Sequence, residues 1–272
     1  MYNKTFPVYC ICLPKRKQHA KLFFQSLDMK PIYTEVVVKD SLDKQLLINN
    51  NIISEDYDFE KHKGRIACSL SHYNALREFK KSNNPYCIIF EDDNSMLTKD
   101  EVYNVHKVLN EILPLKIWDL INLSPCFSKS EFQNTSKMHE YLKYPLNSVC
   151  RNAYAITQNG ATEYLNRMFP LTNSKYAGDH EMKNIPNGYD CTPQLFSQNR
   201  NVFGTNLGNY EILVESISKI KYVPQYLILL ILLSILLILL LKYNITHKII
   251  IITIIFISIA RFIIKKYNYK IL

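Results

Sequence analysis

Between residues 6 and 200 the chain alternates short apolar runs with longer segments whose apolar side chains recur at steps of three and four. A run that is apolar at every position suits a strand covered on both faces of a sheet. Phe6–Leu13, Ile32–Val38, Tyr86–Phe90, Trp118–Leu123 and Ala153–Thr157 are runs of this kind. The longer-period segments predict helices. One follows Pro14 and carries Leu22, Phe23 and Leu27, and a short one falls near Leu42–Ile48. A third opens at Gly64 and carries Ile66, Leu70, Tyr73, Leu76 and Phe79. Lys99–Leu113, closed by Pro114, and Asn159–Met168 complete the set. Strands and helices in alternation predict an α/β domain with a mainly parallel sheet. Residues 126–148 have no period and read as an excursion, and Thr192–Gln198 as an extended segment crossing the domain.

The pattern changes beyond Lys221. Tyr226–Leu241 and Ile249–Ile264 are leucine- and isoleucine-rich runs of 16 residues each, joined by Lys242–Lys248. A bilayer takes roughly 20 apolar residues, fewer where it is thin, and Tyr226, Tyr243 and Tyr267 suit its interfaces. These runs predict a two-pass membrane hairpin, with helices at 226–243 and 248–266 after a linker at 216–225 and a domain at 1–215. Lysines outside the hairpin outnumber those in its loop, which favours a cytoplasmic domain.

Charge follows the same division. Six of the 33 basic residues and none of the 24 acidic ones lie beyond Lys221, so residues 1–221 carry about +3 of the formal +9. That excess is too small for a nucleic-acid surface, and no nucleic-acid partner is expected. The seven cysteines include no CxxC pair, and Cys10 and Cys12 should share one face of the first strand, so no structural zinc is expected from spacing. No apolar leader precedes Cys12, which favours a reduced domain.

Candidate chemistry gathers where strands should end. Glu91-Asp92-Asp93 follows directly on an apolar run, at the carboxyl end where open α/β sheets bind ligands. Three adjacent acids need a counter-cation such as Mg²⁺ or Mn²⁺ if they are even partly buried. Lys15-Arg16-Lys17, after the first strand, could hold phosphates. Ser71 and His72 lie on the helix that runs into the acidic strand. Tyr176-Ala177-Gly178-Asp179-His180-Glu181 could supply a base and a metal ligand together. Each of these taken singly is also the ordinary composition of a solvated turn or helix start.

Together they resemble a known family. Val8–Pro14 with Arg16, Gly64-Arg65-Ile66-Ala67-Cys68-Ser69-Leu70-Ser71-His72, Ile88–Asp93 and Trp118–Leu123 are similar to four segments of glycosyltransferase family 25. That family includes lipooligosaccharide and collagen galactosyltransferases. Weaker echoes are Ala153–Thr157, Asp179-His180 and Pro193–Gln198. The resemblance implies a GT-A-like nucleotide-sugar fold and inverting transfer of a hexose from a UDP-sugar, with Mn²⁺ (or Mg²⁺) as the ion. It implies donor contacts by Pro14, Arg16, Arg65, Ser71, His72, Glu91 and Asp92. Asp93 and His180 would hold the metal, and Asp179 would be the base. The acceptor would be a glycan, a lipid-linked glycan or a protein at a membrane. Ala67, Gly178 and Asn199 depart from the family's usual pattern and bear on the acceptor side. An inactive, membrane-anchored binding module on the same fold is the alternative. A phosphohydrolase would need a second aspartate that Asp92-Asp93-Asn94-Ser95-Met96 lacks.

Overall fold

The computed structural model describes residues 6–125, 136–144, 150–175 and 177–203. These lie in the first of two units into which the chain divides, Met1–Ile212 and Leu213–Leu272. The expected membrane hairpin therefore falls outside the described residues. Among the described residues no helix is long and apolar enough to cross a membrane.

The strands are β1 (Val8–Ile11), β2 (Pro31–Thr34), β3 (Tyr86–Glu91), β4 (Leu120–Asn122), β5 (Ser136–His139), β6 (Leu142–Tyr144), β7 (Ala153–Thr157) and β8 (Gly188–Cys191). They form one sheet in the order β2-β1-β3-β7-β4-β8-β6-β5. The principal helices are α1 (Lys17–Ser26), α2 (Lys44–Asn49), α3 (Phe59–Lys80), α4 (Lys99–Ile112) and α5 (Gln158–Met168), with a short α6 (Arg200–Phe203).

The sheet core follows from strands that are apolar on both faces. Val8, Cys10, Ile88 and Phe90 pack with α1 and α4 residues such as Phe23, Phe24 and Leu109. Tyr9, Ile11, Cys87 and Ile89 pack on the other face with Leu76, Phe79 and Tyr164 of α3 and α5. The result is helix, sheet, helix. Cys10 and the partly buried Cys12 do share a face.

Three expectations need correcting. The sheet is mixed rather than mainly parallel: β1–β2, β1–β3 and β4–β8 run parallel, whereas β3–β7, β4–β7, β5–β6 and β6–β8 run antiparallel. Apolarity on both faces tells that a strand is central but not its direction. Helix α3 starts at Phe59 rather than at Gly64, because Asp58 accepts from the Lys61 N–H and Phe59 buries itself beside Ile53 and Tyr57. Lastly, Cys150 is disulfide-bonded while Cys10, Cys12, Cys68, Cys87 and Cys191 are free, so the domain is not wholly reduced. The remaining cysteine, Cys126, lies outside the described residues.

Antiparallel β7 matters for function. Its first residue Ala153 pairs with Phe90, so the chain just before β7 arrives at the carboxyl end of β3. The Asn152 carbonyl accepts from the Glu91 N–H at 2.8 Å. Ile11 of β1 pairs with Glu91, which brings the turn after β1 to the same place. Helix α5 is held close to the far end of β4: a Cβ on Gly160 would lie 2.2 Å from the Asp119 carbonyl oxygen.

Candidate active site

The three acids at the carboxyl end of β3, Glu91 as its last residue and Asp92 and Asp93 in the turn that follows, meet different partners. Glu91 shares the face of Cys87 and Ile89 and so meets α3. His72 Nε2 stands 2.9 Å from Glu91 Oε1, and the Cys68 thiol donates to the same oxygen at 3.6 Å. His72 is fully buried, and its Nδ1 lies 3.1 Å from the Tyr154 hydroxyl. Burial, with Arg151 nearby, lowers the His72 pKa well below its ordinary value, so the ring is neutral.

Asp92 turns toward the loop after β1. Its Oδ2 accepts the Leu13 N–H at 2.7 Å and its Oδ1 accepts from Arg16 Nη1 at 2.9 Å. The same Arg16 nitrogen reaches Asp93 Oδ2 at 3.3 Å. Pro14 opens the helical turn that aims Arg16 inward, where it is 7% exposed. The Phe203 ring lies 4.9 Å from the guanidinium carbon and its carbonyl accepts from Nη2 at 3.4 Å, so α6 covers this pair.

Asp93 is buried among other carboxylates. Burial pushes its carboxyl up to about 7, with the neighbouring Glu91 and Asp92 adding to the rise; Arg16 and Gln198 oppose it. Burial raises Asp92 as well. Gln198 Nε2 donates to Glu91 Oε2 at 3.0 Å and to Asp93 Oδ1 at 3.4 Å, bridging the outer and inner acids. The expected extended segment is what delivers it, through the Asn94–Gln198 bridge and the Asn199 N–H donated to the Asp93 carbonyl at 2.7 Å.

A second group adjoins the first. Arg151, buried, donates to the Tyr164 hydroxyl at 3.0 Å, Ser69 Oγ at 3.1 Å and Cys68 Sγ at 3.4 Å. Gly178 belongs to the helical turn Gly178–Asn184, and its N–H donates to Ser69 Oγ at 3.1 Å. A Cβ there would come within 2.8 Å of Arg151 Nη1, so a side chain at this position would have to displace the guanidinium. Asp179 follows it and exerts its charge on Cys68, Arg151 and Tyr164. Its Oδ1 is buried with no hydrogen-bond partner.

The residues singled out from sequence thus fall into three sets. Arg16, His72, Glu91, Asp92 and Asp93 converge, with Pro14 setting the turn. Ser71 points away from the acids: its hydroxyl donates to the Ala67 carbonyl at 2.8 Å and accepts the Val37 N–H at 3.0 Å. Arg65 lies 2.7 Å from His62 Nδ1, a turn back on α3. Asp179 and His180 sit on the turn beside Arg151. The metal-ligating type of cluster among the described residues is Cys68, His72 and Glu91, which includes neither Asp93 nor His180. Arg151, Tyr154 and Gln198 have no sequence signal of their own. Arg151 is a lone arginine before a strand, and only the antiparallel direction of that strand gives it a role.

Comparison with protein families matches residues 7–182 to the model for glycosyltransferase family 25, described as an LPS biosynthesis protein. Comparison with curated proteins finds no match. The family match spans β1 through the turn that carries Asp179.

Proposed function

Because the chain belongs to glycosyltransferase family 25, and is a glycosyltransferase on that ground, we propose for it a specific reaction. It moves a hexose, galactose or glucose, from a UDP-sugar to a hydroxyl of a glycan, a lipid-linked glycan or a protein, with inversion. A GT-A-like arrangement of the sheet belongs to this reading. The observation that carries it is the buried carboxylate cluster at the end of β3, closed by Arg16. A nucleotide-sugar brings a diphosphate to a strand end, and a binding site must offer it cations.

Arg16 is the donor-side cation, free to exchange the carboxylates for phosphate oxygens, whose geometry a guanidinium matches. His72 fixes Glu91, which with Asp92 orients the ribose and the loop backbone; Arg65 and Ser71 enter this reading only indirectly through α3, since Ser71 is tied to the Ala67 carbonyl and the Val37 N–H and Arg65 lies beside His62. Asp93 fits a divalent ion: it is a hard oxygen donor whose carboxyl is pushed up to about 7 by burial and by the neighbouring Glu91 and Asp92. Mn²⁺, or Mg²⁺, would be held by Asp93 with His180 as a further ligand, and would neutralise charge on the leaving diphosphate. Asp179 is the base. Its unpartnered buried oxygen has a lone pair to accept the proton of an acceptor hydroxyl.

The apolar runs beyond Lys221 support a membrane anchor and an acceptor at the membrane surface, and the lysine balance around those runs supports a cytoplasmic catalytic domain, against which the Cys150 disulfide stands. Calorimetry of the full-length protein with UDP and Mn²⁺ tests the donor half of this reading. Binding should occur and should weaken at least tenfold in Arg16→Ala. If wild type bound no UDP with or without metal, the chain would instead be a non-catalytic binding module.

A further inference from the structure

We propose that Cys68, His72 and Glu91 form a transition-metal site of the zinc type, separate from the Asp93 position. The three ligand atoms lie within 4.8 Å of one another. Cys68 and His72 stand four residues apart on α3 and so share one helix face, while β3 supplies Glu91 opposite. No CxxC spacing announces the site because the third ligand comes from the sheet.

Both ligand separations to Glu91 Oε1 are close to those around a small ion. Ligands at 2.0–2.3 Å around tetrahedral zinc lie roughly 3.3–3.7 Å apart. Cys68 Sγ to Glu91 Oε1 is 3.6 Å, and His72 Nε2 to that oxygen is 2.9 Å, so the imidazole must withdraw by about half an ångström. One sulfur, one nitrogen and one oxygen favour Zn²⁺ over the hard Mn²⁺ or Mg²⁺.

Each ligand is already oriented from behind, as metal ligands are. Tyr154 holds His72 Nδ1, Arg151 donates to the Cys68 sulfur, and Gln198 holds the second Glu91 oxygen. On binding, the thiol proton leaves to solvent. The His72 proton moves from Nε2 to Nδ1, where the tyrosine oxygen accepts it. Local charge points the same way. Four carboxylates, Glu91, Asp92, Asp93 and Asp179, meet two guanidiniums, Arg16 and Arg151. Arg16 is shared by Asp92 and Asp93 and Arg151 lies beside Asp179, whereas Glu91 faces the neutral His72. A divalent ion there would pin α3 to β3 at the root of the acidic cluster.

The test is metal analysis of the full-length protein, stripped with chelator and reloaded with Zn²⁺ or Co²⁺ alone. One zinc per chain is expected, and Co²⁺ should show a thiolate charge-transfer band. Cys68→Ser should abolish the band and weaken zinc at least tenfold, whereas Asp93→Asn should leave both unchanged. Tyr154→Phe, which removes only the hydroxyl behind His72, should weaken zinc several-fold and serves if Cys68→Ser does not fold. Wild type that takes up no stoichiometric zinc overturns the proposal. So does zinc held equally by wild type and Tyr154→Phe, or lost in Asp93→Asn.

Discussion

Replacing Asp93 by asparagine should stabilise the metal-free protein while abolishing its activity. The carboxyl is held at about 7 in the folded chain against an ordinary 3.8. The difference corresponds to about 4 kcal/mol, at 1.36 kcal/mol for each factor of ten. The sign follows from proton binding. Between those two values the folded state holds a proton that the unfolded state has lost, so stability falls as pH rises from about 4 to about 7. Below that window the carboxyl is neutral in both states and costs nothing. Above it, folding must bury a charge beside Glu91 and Asp92, with Arg16 shared. Relaxation and entering water take up part of the cost, so wild type should lose about 2–4 kcal/mol across the window relative to Asp93→Asn. Denaturant midpoints of both proteins, measured in chelator at pH 4.5, 6 and 8, read this directly. A difference of no more than about 1 kcal/mol near pH 4.5 that grows to about 2 kcal/mol or more in favour of the variant at pH 8 is the expected result. Parallel profiles, or a variant less stable at pH 8, would refute the claim that this carboxylate is stored at a cost. A group retained against stability marks a site shaped for function.

Asp179→Asn should lower kcat by roughly 10²–10⁴ with donor KM preserved; full activity would remove it as the base. Gly160→Ala should cost roughly 2–3 kcal/mol in a denaturant melt, because the clash is with the Asp119 backbone rather than with a flexible side chain. Arg151→Met should cost roughly 3 kcal/mol, since the Tyr164 and Ser69 partners are buried and Asp179 loses a cation beside it. A melt of Arg151→Met within 1 kcal/mol of wild type would mean that water replaces the guanidinium without penalty.

The elements that sequence shows best are those built on strong periodicity. The β3 run and the α4 and α5 patterns land close to their observed bounds, because apolar spacing alone decides which face is buried. Strand direction is not encoded in that spacing. Strand β7 looks like any other buried strand, and its antiparallel course, which carries Arg151 and Asn152 to Glu91, depends on tertiary pairing. Strands β5, β6 and β8 are short and polar enough to read as loop; Gly188–Cys191 has no apolar run, yet it is buried through pairing with β4. At the site, the acidic triplet and Arg16 are legible because charge next to an apolar run demands partners. Ser71 and His72 are adjacent in sequence but point apart on α3, one into a backbone tie and one into the acids. Adjacency on a helix separates side chains by about 100°, so the motif as a block could not say which of the two faces the site.

The central claim is that the acids at the carboxyl end of β3 serve transfer from a nucleotide-sugar. Its most direct test is turnover of a panel of UDP-, GDP- and CMP-sugars by the full-length protein, with Mn²⁺ and with chelator, beside Asp93→Ala. Metal-dependent release of UDP from one UDP-hexose, absent in the variant, is the predicted result. Turnover that persisted undiminished in Asp93→Ala, or no turnover of any donor, would contradict it.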